Sequence, residues 1–343
     1  MLGLTGSSPR PLRVSRAEVV AQITGEDSPN HTDRRFGITA ADLGITWETG
    51  RGHVLVAFGD TYGAGWTGPG GGIGDEKTLD WRSNALLRSS DRNLAAGMTF
   101  DSAAIDHRGH AKELLPSLKN EDAGEITVIP TAGVCVGSRQ YLAYMSVRHW
   151  GDPGHWDTNL AGIAFSDDDG ESWRIEGDAQ WPNVDGNDPF QMGAFTAAGR
   201  YVYLFGTPNG RFGDAHVARV STGSILDAAG YEYWTGSRWR RGETSIAAPI
   251  VTGPVGELSV RYDPLAHTWL MTYLNEHDAA IVLRHSSAPQ GPWSTEQVLA
   301  SAEDFPALYG GFMHPWSSGR ELYFLMSQWS PYNVFLMRCT LSR

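Results

Sequence analysis

Along most of the chain, apolar residues alternate with polar ones or run together in short blocks, and the blocks end on Gly, Asp, Asn or Pro. A period of two in short bounded runs is the mark of strands, because successive side chains face opposite sides of a sheet. Helical periodicity is nearly absent: "EVVAQI" and "GSILDAAGY" are the two short stretches that read as helix.

The strand-like runs fall into five units. The first runs from "GITAADLGITWE" through "HVLVAFGDTY" to "SNALLRSSD" and "MTFD". The second holds "GEITVIPTAGVCVG", "QYLAYMSVRHW" and "LAGIAFSDDDGESWRI". The third holds "QMGAFTAAG", "YVYLFGTPNG", "AHVARVS" and "YEYWTGSRW". The fourth is "GELSVRYDPLAHTWLMTYLNE", "AIVLRHSSAPQGPW" and "EQVLA", and the last is "GGFMHPWSSGRELYFLMSQWSPYNVFLMRCTL". Five units of about one four-stranded sheet each predict an all-β chain folded as a five-bladed β-propeller. The fifth unit is one strand short. The N-terminal segment, residues 1–30, contains "EVVAQITG", which can supply that strand and close the ring, leaving residues 31–343 as one propeller domain. An irregular β-sandwich, or two β domains, is the alternative architecture.

Composition fits that picture. The chain has 343 residues with 41 Gly, 13 Trp and 12 Tyr, which suits many strands, tight turns and a surplus of aromatic faces for carbohydrate. Its formal net charge is -12 with no basic cluster, which argues against nucleic acid, whose phosphates need Lys and Arg stripes. No run reaches the ~18 apolar residues that span a bilayer. Cys135 and Cys339 sit in no metal-ligand spacing; two buried free thiols are expected, with one disulfide as the alternative. No GxSxG, HExxH, P-loop or dinucleotide fingerprint appears, so no cofactor or metal is expected. The glycine run "GPGGGIG", Gly68 to Gly74, reads as a flexible loop.

In a propeller the innermost strands converge on the axis, and polar residues where they begin face one central pocket. Asp42 in "TAADLGI" opens the first unit, and Asp60 closes its second strand eighteen residues later, a spacing that suits neighbouring antiparallel strands. Two carboxylates brought together are what glycoside hydrolysis needs, one to protonate the leaving oxygen and one to attack or to activate water. A turn aspartate is the plainer reading of either alone. Glu257 begins the inner strand of the fourth unit and reads as acid, orienter or sugar ligand. His314 in "GFMHPW" is read at the start of the fifth. Trp81, Arg82 and Asn84 precede the third strand of the first unit and match a sugar face and sugar hydroxyls. "SDDDGESW", Ser166 to Trp173, is an Asp-box turn and speaks for the fold, not the site; "SSAPQGPW" is its counterpart in the fourth unit.

Taken together, "DLGI", "FGDTYG", "WRSNALLRSSD", "YLFGTPNGRFG", "GELSVRYDP", "MTYLNE", "GGFMHPWSSG" and "LMSQWSPYNVFLMR" resemble the actinobacterial endo-D-arabinanases of glycoside hydrolase family 183. The resemblance runs from about Asp33 onward. It implies a five-bladed propeller that cleaves internal α-D-arabinofuranosyl linkages of D-arabinan in mycobacterial arabinogalactan and lipoarabinomannan, with retention. It also implies that Asp42 and Asp60, in intact "DLG" and "GDT" motifs, are the catalytic pair, with Asp42 expected as nucleophile and Asp60 as acid/base. Sugar contacts are expected, from blade position, at Trp81, Arg82, Asn84, Gln191, Asn209, Glu257 and His314. The implied substrate lies outside the cytoplasmic membrane, while "MLGLTGSSPRPLRVSRAEVV" lacks a signal-peptide layout. The expectation is therefore an extracellular action on the envelope, with a phage-tail depolymerase among the assemblies that would deliver it. The competing function is a non-catalytic glycan-binding or structural propeller of an envelope or virion assembly. A sialidase lacks support, because no three-arginine cluster is evident.

Overall fold

The computed structural model describes residues 12–74, 77–264 and 267–342. Residues 1–11 of the N-terminal segment lie outside them. Five antiparallel sheets follow one another along the chain. Blade 1 consists of Ala40–Glu48, Val54–Tyr62, Ala85–Ser89 and Ser102–Ala103, with the two-residue strand Trp81–Arg82 beside the second. Blade 2 is Thr127–Val136, Arg139–Trp150, Trp156–Ser166 and Gln180–Pro182. Blade 3 is Met192–Ala198, Tyr201–Thr207, His216–Ser221, Glu232–Trp234 and Trp239–Arg240. Blade 4 is Leu258–Asp263, Thr268–Asn275, Ala280–Ser286 and Gln297–Ser301, and blade 5 is Leu308–Met313, Glu321–Gln328 and Asn333–Ser342.

The innermost strand of each blade packs on that of the next, and the fifth returns to the first, so the ring is closed. Glu18–Gln22 pairs antiparallel with Asn333–Ser342, matching Glu18 to Arg338 and Gln22 to Phe335. "EVVAQ" is thus a strand and not a helix, because it pairs along an otherwise open sheet edge. "GSILDAAGY" likewise contains only the short 3-10 turn Ala228–Gly230. The one α-helix among the described residues is the single turn Thr32–Phe36, ended by Gly37 at φ 65.

Alternation explains the cores. Leu55, Ala57, Leu86 and Leu142 fill one interblade layer, while Val54, Val56, Phe58, Ala85 and Leu87 of the same two blade 1 strands fill another. The Asp-box behaves as a structural turn: Ser166 Oγ donates to Asp168 Oδ1 at 2.7 Å, and Trp173 packs edge-on to Trp47. Cys135 and Cys339 are free thiols; burial pushes the Cys339 thiol up to about 12.

Every innermost strand begins on one face of the disc and ends on the other. An axial cavity of about 620 Å³ lies toward the strand ends, bordered by Trp47, Val134, Phe195, Val260 and Phe312. The carboxylates of interest are at the opposite face, where the strands begin.

Candidate active site at the axial mouth

Asp42 stands near the start of the innermost strand of blade 1, and Asp60 near the end of its neighbour. Ala41 pairs with Thr61 and Leu43 with Phe58, so Gly59 and Asp60 together oppose the single residue Asp42. This two-against-one bulge re-aims the side chains and brings both carboxylates to the mouth. Leu43 follows at φ 70 and Gly44 at φ 83, and the Leu43 N–H is satisfied by Ser327 Oγ at 2.8 Å. A left-handed leucine costs about 1–2 kcal/mol, which the interblade hydrogen bond helps to offset.

Gly59 is fixed by Asp42. A Cβ at position 59 would stand 2.5 Å from Asp42 Oδ1. Gly59→Ala should therefore push the Asp42 carboxylate out of place and reduce turnover at least tenfold, with a much smaller loss of stability. Parallel measurement of kcat and of the denaturant midpoint checks this; equal loss of both would assign Gly59 to packing alone.

The two carboxylates have different surroundings. Asp42 is partly open, but its Oδ1 is buried and has no hydrogen-bond partner, while Oδ2 accepts from Tyr309 Oη at 3.1 Å. Burial, then the charge of Asp60, pushes its pKa up to about 8, against hydrogen bonds from Tyr332 and Tyr309; Glu257 adds to the rise. Asp60 is 8% exposed, and its Oδ1 accepts from Trp81 Nε1 at 2.9 Å and from Thr127 Oγ1 at 2.8 Å. Burial raises Asp60 only to about 6, because those two donors favour its charged form. Opposite environments of this kind separate an acid from a base.

A second group closes the far side. Glu257, immediately before the inner strand of blade 4, takes two bonds on Oε1 from Arg211, from Nε at 3.0 Å and Nη2 at 2.9 Å. Its Oε2 is buried and unpartnered. The Arg211 guanidinium lies over the Tyr309 ring at 5.3 Å. Two carboxyl oxygens, Asp42 Oδ1 and Glu257 Oε2, are thus left without a protein partner. A ligand hydroxyl can accept from a protonated carboxyl and donate to a charged one. Among the described residues no group of three or more His, Cys, Asp or Glu is placed to share a metal ion.

The other expected contacts divide. Trp81 holds Asp60, and Lys119 Nζ caps its carbonyl at 2.7 Å. Asn209 is half-buried beyond the second strand of blade 3, tied to Asn183 and to the Trp156 carbonyl. Four are not offered to a ligand. Asn84 is fully buried, donating to the carbonyls of Leu115 and Val128 and accepting from the N–H groups of Leu114 and Leu115. Gln191 is fully buried among Thr158, Trp181 and Asp188. Arg82 donates to the carbonyls of Ala111 and Gly37. His314 follows the last residue of its strand, so it lies at the other face, fully buried; burial and Arg261 lower its pKa to about 3 and keep it neutral. The fifth blade's contribution to the mouth is instead Tyr309, five residues earlier and near the strand start. Tyr332, Thr127 and Arg211 were also not singled out by sequence. Position supplies a signal for two: Tyr309 begins an inner strand as Asp42 does, and Thr127 opens that of blade 2.

A five-bladed propeller with a carboxylate pair at its axial mouth, Asp60 buried and Asp42 partly open, defines the class. The chain belongs to the family described as domain of unknown function DUF4185, whose model matches residues 27–338. It is 33% identical over 337 residues to notoamide biosynthesis cluster protein J of Aspergillus sp. (strain MF297-2), covering 92% of this chain and 86% of that one. In fold it is similar to a putative hydrolase from Bacteroides ovatus ATCC 8483, with a TM-score of 0.61, 14% identity, and 90% and 87% of the two chains covered. It is also similar to the GH43_1 enzyme from Xanthomonas citri, with a TM-score of 0.53, 12% identity, and 95% and 89% covered. At these identities the likeness to the two structures is one of fold.

Proposed function

We propose that this propeller is a retaining glycoside hydrolase whose working groups are Asp42 and Asp60. The observation that carries the reading is the pair itself: two carboxylates at one bulge, one biased toward its acid and the other toward its carboxylate. In the first step Asp60 attacks the anomeric carbon, the bond to the leaving oxygen breaks, and Asp42 gives that oxygen its proton. In the second, the Asp42 carboxylate takes a proton from water, which attacks the glycosyl ester of Asp60 and frees the sugar. This order reverses the one expected from the sequence; it rests on Asp42 holding the proton more tightly than Asp60. Retention needs the two carboxyl groups to work at about 5–5.5 Å.

For substrate we propose internal α-D-arabinofuranosyl linkages of D-arabinan, supported by the motif resemblance and by the pairing, among the described residues, of the cations nearest the carboxylates. Arg211 is taken by Glu257 and Glu276, and Lys119 by Glu113. A neutral, hydroxyl-rich chain fits such a mouth. Incubation with mycobacterial arabinogalactan should release arabino-oligosaccharides, and Asp60→Asn should release none. Absence of products from the wild type would remove the arabinanase reading.

The Aspergillus relative favours a second reading. That protein is named for a notoamide biosynthesis cluster, and a third of its aligned residues are shared here. Work on a small molecule instead of a polymer would then give no oligosaccharide release but turnover, or tight binding, of a compact ligand at the same mouth.

A further inference from the structure

Among the described residues three Trp and Phe side chains are largely exposed: Trp150 at 41%, Phe212 at 39% and Trp329 at 50%. All three lie on the face that carries Asp42 and Asp60. Each ends or follows the second strand of its blade, and those strands run toward the mouth. Scattered apolar exposure is ordinary, but exposure of only these rings, on one face, around a carboxylate pair is not.

Their placement is two-sided. Blade 1 bears both aspartates; Trp150 belongs to blade 2 and Trp329 to blade 5, its two neighbours in the ring. Each tryptophan is also built into a chain of ring contacts that ends on Asp42. On one flank Trp150 meets buried Trp156 at 5.9 Å; Arg211 lies over Trp156 at 5.9 Å and over Tyr309 at 5.3 Å. Tyr309 then donates to Asp42. On the other flank Trp329 meets Tyr332 at 5.4 Å, and the Tyr332 hydroxyl favours the charged form of Asp42.

The glycine run left without a role by the chemistry backs the second flank. A Cβ at Gly70 would stand 2.5 Å from Trp329 Nε1, and one at Gly71 would stand 2.9 Å from the Tyr332 ring. Trp66 Nε1 donates to the Gly70 carbonyl at 2.9 Å and pins the run. The glycines are therefore a flat wall against which Trp329 stands, with half of its surface open. The motif read as a flexible loop is the support of an aromatic plate. Phe212 is fixed comparably on the first flank, stacked on His155 at 4.4 Å.

We propose that Trp329 on one side, and Trp150 with Phe212 on the other, are stacking platforms for sugar units on both sides of the cleaved linkage. A neutral polysaccharide then lies across the mouth of blade 1 with chain continuing in both directions. This rests on the glycosidase reading and deepens it: platforms on both flanks demand an endo-acting site, since an exo-acting one closes against the chain end on one side. Ring faces provide large, rigid, low-entropy contact area suited to the apolar face of a sugar.

The test uses the full chain carrying Asp42→Asn, titrated by calorimetry with neutral oligosaccharides from disaccharide to octasaccharide. D-arabinan, L-arabinan, xylan and β-1,3-galactan fragments form the panel. Affinity should rise with length for one series, and Trp329→Ala and Trp150→Ala should each reduce binding of the longest member about tenfold while barely changing the disaccharide. Circular dichroism checks that both variants are folded. If the responsive series is not D-arabinan, the platforms stand and the substrate proposal falls. Binding that ignores both replacements, or no binding across the panel, overturns the platforms, whatever hydrolysis assays give.

Discussion

Asp60→Asn should lower kcat by about 10⁴-fold, the scale of losing a group that acts directly in the transition state. Asp42→Asn should cost as much on substrates with a poor leaving group and far less on an activated aryl arabinofuranoside, whose departure needs no proton. Sodium azide separates the roles. In Asp60→Asn it takes the place of the missing carboxylate and attacks once, giving an arabinosyl azide of inverted configuration. In Asp42→Asn it attacks the glycosyl ester of Asp60 and gives the retained configuration. The opposite pattern would make Asp42 the nucleophile; full activity in either variant would dismiss the pair. In the wild type the pair carries one proton between about pH 6 and about 8, so kcat/KM should be bell-shaped with limbs near those values. The limbs belong to the coupled pair and not to either residue alone.

The same carboxylates should make the protein less stable where they are charged. Asp42 rises from 3.8 in an exposed chain to about 8 in the fold, so between those values the native state holds a proton that the unfolded state has released. Stability from this group is then present below about pH 4 and is lost progressively as pH rises to about 8. Asp60 acts in the same direction over the narrower interval up to about 6. Asp168 acts oppositely: burial pushes it up, but bonds from Ser172 and Ser166 bring it to about 2, and its contribution is lost on acidification. The difference between wild type and Asp42→Asn isolates the one group. We expect the variant to be more stable by ~2 kcal/mol at pH 8.5, given about 1.4 kcal/mol for each pKa unit and a partly open side chain. The gap should close near pH 4. Denaturant unfolding at both pH values is the check, and a variant less stable than wild type at pH 8.5 would refute it. Such a gain on removing a working group marks a site whose burial is kept for chemistry.

The five sheets were legible because each blade repeats the same period-two alternation and turn residues, and Asp42 and Asp60 because a fixed spacing on adjacent strands is itself geometric. The misplacements have one cause. Residue type suggests a role, while burial decides it. Asn84 and Gln191 have the amides that sugars need, but in a ring of sheets the backbone between blades also needs bridging, and buried amides meet that need. His314 reads from sequence at the wrong face because Gly310 and Gly311 look like a turn before a strand. In fact both lie inside Leu308–Met313, at φ 80 and 113, and shift the strand's start to where Tyr309 faces the mouth. Tyr332 could not be found from local sequence, since its contact with Asp42 joins residues almost three hundred positions apart.

The pairing of Glu18–Gln22 with Asn333–Ser342 has a consequence in time. Glu18 and its partner Arg338 are 320 residues apart, so this N-terminal strand leaves the ribosome long before its mate exists. Blades 1 to 4 are complete within themselves and can form as they are synthesised, whereas blade 5 can be finished only at the end. Tyr309 and Tyr332 both come from that last sheet. Until it docks, Asp42 lacks its hydroxyl donors, so catalytic competence should appear in the final folding phase, after most secondary structure has formed.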